Sequence, residues 1–211
     1  MFLVRRVDRR RAEASESLGT KPKFWFTDGD VRLLFKAEER GTGEDWAEKV
    51  ACHLCELLGL PHVHYELAEE YDGETYIRPG IVCETCVPKG GSLVLGNQLM
   101  VERDPNYPAQ QSKYRVREHT VAAFASRARS AFYARGGAGH PLGTLEAFSG
   151  FARHAPKAAR VWVDRLAAIG PDQLAAVLDK IPNRRMSKIA KTFSQELLQE
   201  NQNRLLSEVK P

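Results

Sequence analysis

Phe24-Trp25-Phe26-Thr27-Asp28-Gly29-Asp30-Val31-Arg32-Leu33-Leu34-Phe35-Lys36 decides the fold. Two runs rich in aromatic and branched residues flank Asp28-Gly29, and Asp-Gly between such runs is a strong hairpin signal. Working outward, Thr42 or Asp45 can cap a helix in which Trp46, Ala47, Val50, Ala51, Leu54, Leu57 and Leu58 recur at helical spacing. Gly59 ends that helix and Pro61 follows it. His62 to Ala68 alternates like a half-buried strand, and Tyr71-Asp72-Gly73-Glu74 turns the chain into extended segments over 75–77 and 80–87. Residues 21–103 therefore predict an antiparallel sheet with one crossing helix. Upstream, residues 1–20 read as a flexible basic arm. Downstream, residues 104–211 turn helix-forming, with candidate helices over 117–134, 143–153, 157–168, 172–180 and 185–208, punctuated by Gly136-Gly137, Gly170-Pro171 and Pro182-Asn183. In the last of these, Met186, Ile189, Ala190, Phe193, Leu197 and Leu198 form one apolar stripe. Sheet first and helices after is an α+β arrangement.

The bulk numbers suit a chain with a real core: 211 residues, 43% hydrophobic and 27% charged. No run approaches the ~18 apolar residues of a membrane span, and Met1 to Arg6 lacks the apolar stretch of a secretory signal, so a cytoplasmic location is expected. The net charge of +4 is unevenly placed. Arg5, Arg6, Arg9, Arg10 and Arg11 form one cluster; Arg184, Arg185, Lys188 and Lys191 form another. Aromatic residues do not interleave either cluster as a single-strand binding surface requires, so solvated faces are favoured over nucleic-acid contact. Walker-type loops, Gly-x-Ser-x-Gly elbows and paired Cys/His nucleophile arrangements are missing from the sequence.

Two constellations can carry chemistry. Lys36 closes a strand, and a lysine there reaches nucleotide phosphates when a helical carboxylate holds it. Glu48, one turn into the following helix, is the candidate partner, with Glu44 the less well placed alternative. The second constellation is Cys52-x-x-Cys55 with Cys83-x-x-Cys86, a spacing that structural zinc sites use. Against it, the first pair falls inside a helix rather than a knuckle, and the second lies three apart on extended chain, facing opposite sides. Small buried hydrophobes explain the four cysteines as well. His62 and His64 share a strand face and can join Cys52 or Cys55 as ligands, although half-buried strand histidines are commoner.

The segments Gly19-Thr20-Lys21-Pro22-Lys23-Phe24-Trp25-Phe26, Leu34-Phe35-Lys36, Glu44-Asp45-Trp46-Ala47-Glu48-Lys49 and Glu56-Leu57-Leu58-Gly59-Leu60-Pro61 resemble, in order and character, the N-terminal lobe of HipA-like serine/threonine kinases. The likeness extends to Gly80–Pro88, Leu93–Asn97, Tyr114–Val121, Trp162–Ile169, Ile181-Pro182 and Met186 through Leu206, roughly three quarters of the chain. It implies a kinase-like sheet with a shortened helical lobe. It also implies ATP as cofactor, with Lys36 as the phosphate lysine and Glu48 as its partner. Ser17, Gly19 and Lys21 would lie in a covering loop over Ser15–Lys21, and Val87 would stand at the adenine edge.

The departure from the family matters as much. Its catalytic loop, of His-x-x-Asp-x-x-x-x-Asn type, and its metal-binding aspartate should fall between Tyr114–Val121 and the closing helices. No aspartate occurs from Pro105 to Val163. Phosphoryl transfer needs an aspartate at the attacking hydroxyl and acidic ligands for magnesium. The resemblance therefore implies a nucleotide-binding but catalytically incomplete homologue that does not hold Mg by itself. Its role would be regulatory or that of a split kinase, in a toxin–antitoxin or signalling setting, with a kinase-fold or antitoxin protein as partner. The other readings are a non-enzymatic interaction module and a zinc-stabilised structural domain.

Overall fold

Asp28-Gly29 turns the chain where the sequence puts the turn, with Gly29 at φ 60°. The computed structural model describes residues 1–15, 21–39, 41–88, 121–134 and 139–208, with 90, 91, 93, 94, 99 and 102 besides. Two compact units emerge: residues 1–89 with 171–192, and residues 90–170 with 193–211.

The first unit is built on a six-stranded sheet. Its strands are β1 (Val4–Asp8), β2 (Ala14–Ser15), β3 (Lys23–Asp28), β4 (Val31–Ala37), β5 (Tyr65–Asp72) and β6 (Thr75–Glu84), in the order β1-β5-β6-β4-β3-β2. The sheet is mixed: β1 runs parallel to β5, and the other pairings are antiparallel. Helix α1 (Glu44–Leu58) crosses it, ended by Gly59 in the left-handed conformation at φ 67°. The expected break at residues 78–79 is absent, and β6 runs through Pro79.

Strand periodicity sorts the side chains. Phe35, Ala37, Val82, Ala68, Val7, Phe26 and Leu33 form one buried cluster. Residues in register on the alternate positions share the other face: Lys36 opposite Ile81, Leu34 opposite Cys83, and Tyr65 opposite Cys83 on the far strand. Helix α1 lies against β5 and β6 and buries Val50 and Cys52. Where β6 passes β4, a Cβ on Gly80 would stand 2.5 Å from the Lys36 carbonyl oxygen and 2.5 Å from the Phe35 ring. Gly80→Ala is therefore expected to destabilise by about 1–3 kcal/mol, the usual cost of overpacking, read as a lower midpoint in urea.

Of residues 1–20, expected as a flexible arm, 16–20 lie outside the described residues and 1–15 are ordered instead. Burial of Val7 and pairing of every arginine explain it. Arg5 meets Glu66 at 2.9 Å and Asp28 at 2.9 Å, Arg6 meets Glu74 at 2.9 Å, and Arg11 meets Asp28 at 3.0 Å. Arg9 stands 3.7 Å from Glu70 and Arg10 at 2.5 Å from Asp8. The Arg10 side chain and backbone N–H hold the half-buried Asp8 carboxyl well below the usual carboxylate range.

The helical region divides differently from the expected single block after residue 104. Helix α5 (Pro171–Asp179) and the turn after it belong with the sheet, burying Leu174, Val177, Leu178, Ile181 and Met186. The second unit contains α2 (Val121–Ser126), α3 (Thr144–His154), α4 (Pro156–Ala167) and the latter part of α6 (Lys188–Glu208). In it, Gln202 donates from Nε2 to the carbonyls of Leu166 and Ile169, both at 2.8 Å, fastening α6 to the end of α4. Ile189 leaves the expected stripe: it is 83% exposed. Among the described residues, no helix is long and apolar enough to cross a membrane.

Candidate functional site

Lys36 sits at the end of β4 on the sheet face that α1 crosses. Its ammonium lies 3.1 Å from Glu48 Oε2 and donates to the Tyr65 hydroxyl at 2.9 Å. Glu48 belongs to the second turn of α1, and Tyr65 opens β5, which lies beyond β6 from β4, so a helix and two strands converge on one amine. The same ammonium stands 4.7 Å from the Tyr65 ring centre. Burial is the largest single influence on Lys36 and pulls its pKa down, but Tyr65 and Glu48 together outweigh it and leave the pKa raised. The group stays cationic at neutral pH. Burial in turn pushes the Tyr65 phenol up, so it is the neutral partner.

These side chains open onto a cleft of about 260 Å³ lined by Lys21, Lys23, Lys36, Ala37, Glu44, Asp45, Glu48 and Ile81. Lys23 lies directly across the β3–β4 ladder from Lys36. Like charges opposed in this way are destabilising unless something of opposite sign balances them. Here the balance comes from α1: Glu48 meets Lys36, and Glu44 pairs with Lys21. The first turn of α1 is held further by the Glu38 carboxylate, which accepts from the Glu44 backbone N–H at 2.8 Å.

Asp45, the second acid of that turn, is tied from behind. Arg185, from the turn after α5, meets Asp45 Oδ2 at 2.7 Å, and both side chains are 5% exposed. The same guanidinium donates to the Ala68 carbonyl at 3.0 Å and the Gly80 carbonyl at 2.8 Å, while its Nε has no partner among the described residues. Burial raises the Asp45 pKa and Arg185 counters it. The second basic cluster is thus only partly a solvated face: the Arg185 side chain is buried and Lys191 is half-buried, while Arg184 and Lys188 are exposed. Arg184 meets Glu69 at 3.0 Å and Lys191 meets Asp179 at 3.7 Å.

Of the other expected site residues, Lys21 lines the cleft, and Glu44 does so as Lys21's partner rather than as Lys36's. Ser17 and Gly19 lie outside the described residues. Val87 is in a bend beyond β6, donating its N–H to Thr85 Oγ1 at 3.2 Å, and is not among the cleft-lining residues. Sequence reasoning missed Tyr65, Lys23, Asp45 and Arg185. Register places Lys23, but nothing in the local sequence marks Tyr65 or Arg185 as a partner of the site.

The cysteines do not act as one set. Cys52 and Cys83 are buried, Cys55 is half-buried and Cys86 is exposed. Among the described residues they gather at no common metal-sized position; Cys52 stands instead with Glu56, His62 and His64. Burial pushes the Cys55 and Cys83 thiols up, away from the reactive thiolate.

No protein-family model matches the sequence, and no curated protein matches it either. Among solved structures, the Helicobacter pylori proinflammatory kinase CtkA is similar to this chain at 12% identity, with 96% of this chain and 98% of that one covered and a TM-score of 0.56. At that identity the likeness concerns the fold, which is mixed α+β and kinase-like.

Proposed function

We propose that the chain is a nucleotide-binding protein of HipA-like kind that does not complete phosphoryl transfer alone. The observation that carries this reading is the pinned ammonium of Lys36. It is 3.1 Å from Glu48 at the edge of a cleft that Lys21 and Lys23 also line. A lysine fixed by a helical carboxylate offers triphosphate oxygens a charge whose position is already set, so little side-chain freedom is lost on binding. The kinase-like fold supports this assignment, because in kinases the same pairing serves ATP.

Catalytic incompleteness rests on the sequence interval from Pro105 to Val163, which holds no aspartate. The aspartates that follow, Asp164, Asp172 and Asp179, sit within α4 and α5 rather than in a loop. With no aspartate in that interval to organise magnesium, charge on a transferring phosphoryl group goes uncompensated. A regulatory or split-kinase role follows, with a kinase-fold or antitoxin protein in the cytoplasm as the partner that the resemblance implies. Calorimetric titration tests the core of the reading. ATP should bind saturably, with little gain from added magnesium and no phosphate transfer to the chain or to a general acceptor protein. Absence of any saturable binding ends the proposal.

A further inference from the structure

We infer that Cys52, Glu56, His62 and His64 bind one divalent transition metal, zinc by the chemistry of the donors. Cys52 and Glu56 are four apart on α1 and so share a helix face. His62 and His64 are two apart on the chain entering β5 and share the facing side. The thiol of Cys52 lies 3.8 Å from Glu56 Oε1 and 3.9 Å from His64 Nδ1. Glu56 Oε1 in turn lies 3.6 Å from His64 Nδ1 and 4.0 Å from His62 Nε2. All four donor atoms fall within 4.8 Å of one another. Zinc bonded at ~2.0–2.3 Å holds tetrahedral donors about 3.3–3.8 Å apart, so small side-chain rotations close the set.

The surroundings are arranged as metal ligands require. His62 Nδ1 lies 2.7 Å from the Leu60 carbonyl and can only donate to it, which leaves the lone pair on Nε2, the atom turned to the cluster. The second oxygen of Glu56 is held by His53 Nδ1 at 2.5 Å, and Lys180 donates to His53 Nε2 at 3.0 Å, fixing that tautomer. Glu56 therefore has one oxygen engaged and one presented to the cluster. One thiolate, one carboxylate and two neutral imidazoles balance a doubly charged cation, and binding releases the Cys52 thiol proton. Four protein ligands leave no open position, so the metal is structural. It would join α1, one turn beyond Glu48, to the residue before Tyr65, thereby bracing both partners of Lys36. The inference stands on other atoms than the nucleotide reading and can survive its failure.

The test uses the full chain, stripped with chelator and titrated with cobalt(II), then competed with zinc. One cobalt per chain is expected, with a thiolate charge-transfer band in the near ultraviolet that zinc abolishes. Cys52→Ser should erase that band and Cys55→Ser should leave it. Because Cys52 is buried, the exposed His64→Ala serves as the second variant. It should retain the circular dichroism of the parent and weaken zinc more than tenfold, and His62→Ala should do the same. Absence of a saturable band, or zinc affinity unchanged by both histidine variants, overturns the assignment.

Discussion

Arg185→Met is expected to destabilise the sheet-bearing unit by about 3–5 kcal/mol, the cost of removing one partner from a buried ion pair. The substitution leaves the Asp45 carboxyl, 5% exposed, without its counter-charge, and strips the Ala68 and Gly80 carbonyls of a donor. Guanidinium denaturation monitored by tryptophan fluorescence measures the loss. Adding Asp45→Asn to Arg185→Met should recover part of it, because the stranded charge is then gone. Arg185→Lys should rescue poorly, since a compact ammonium cannot reach two carbonyls and a carboxylate at once. A cost for Arg185→Met below about 1 kcal/mol would mean that the pair contributes no more than an exposed one.

Lys36→Ala should weaken ATP about ten- to hundredfold, the equivalent of one or two charge-assisted hydrogen bonds to phosphate. The thermal midpoint without nucleotide should move little by comparison, because the ammonium's attractions are partly cancelled by its burial. Glu48→Gln should fall between parent and Lys36→Ala: the amide still accepts a hydrogen bond, but the charge that fixes the lysine is lost. Equal ATP affinity in the parent and in Lys36→Ala would remove the phosphate role from this lysine, even if nucleotide binds elsewhere.

The parts of this molecule governed by local chemistry were readable from the sequence. Asp28-Gly29 marks its hairpin by backbone preference, Gly59 and Pro61 mark the end of α1, and the spacing from Lys36 to Glu48 brings strand and helix to one cleft. Partnerships across long stretches of chain were not readable. Arg185 lies 117 residues from its acceptor Ala68, and a lone arginine in a basic run looks like any solvated cation until burial is known. The first fifteen residues misled for a related reason: a run of arginines suggests an arm, while their acids wait on β3, β5 and the turn at Glu74. The cysteines were half readable: the helix under Cys52 and Cys55 already counted against a four-thiol set, and His62 and His64 were legible as possible ligands beside Cys52, but Glu56, one helical turn beyond Cys52, was not marked by any motif.

The placement of β1 and β2 at opposite ends of the strand order constrains the curvature of the whole sheet. Six laid-flat strands would hold their outer margins about 24 Å apart, yet the six steps from Asp8 to Ala14 reach about 21 Å even at full stretch. The margins must curl toward each other, and a short N-terminal strap hems both. Proteolytic trimming of that strap would bare two unpaired backbone rims in a single cut, each a template for strand addition and self-association.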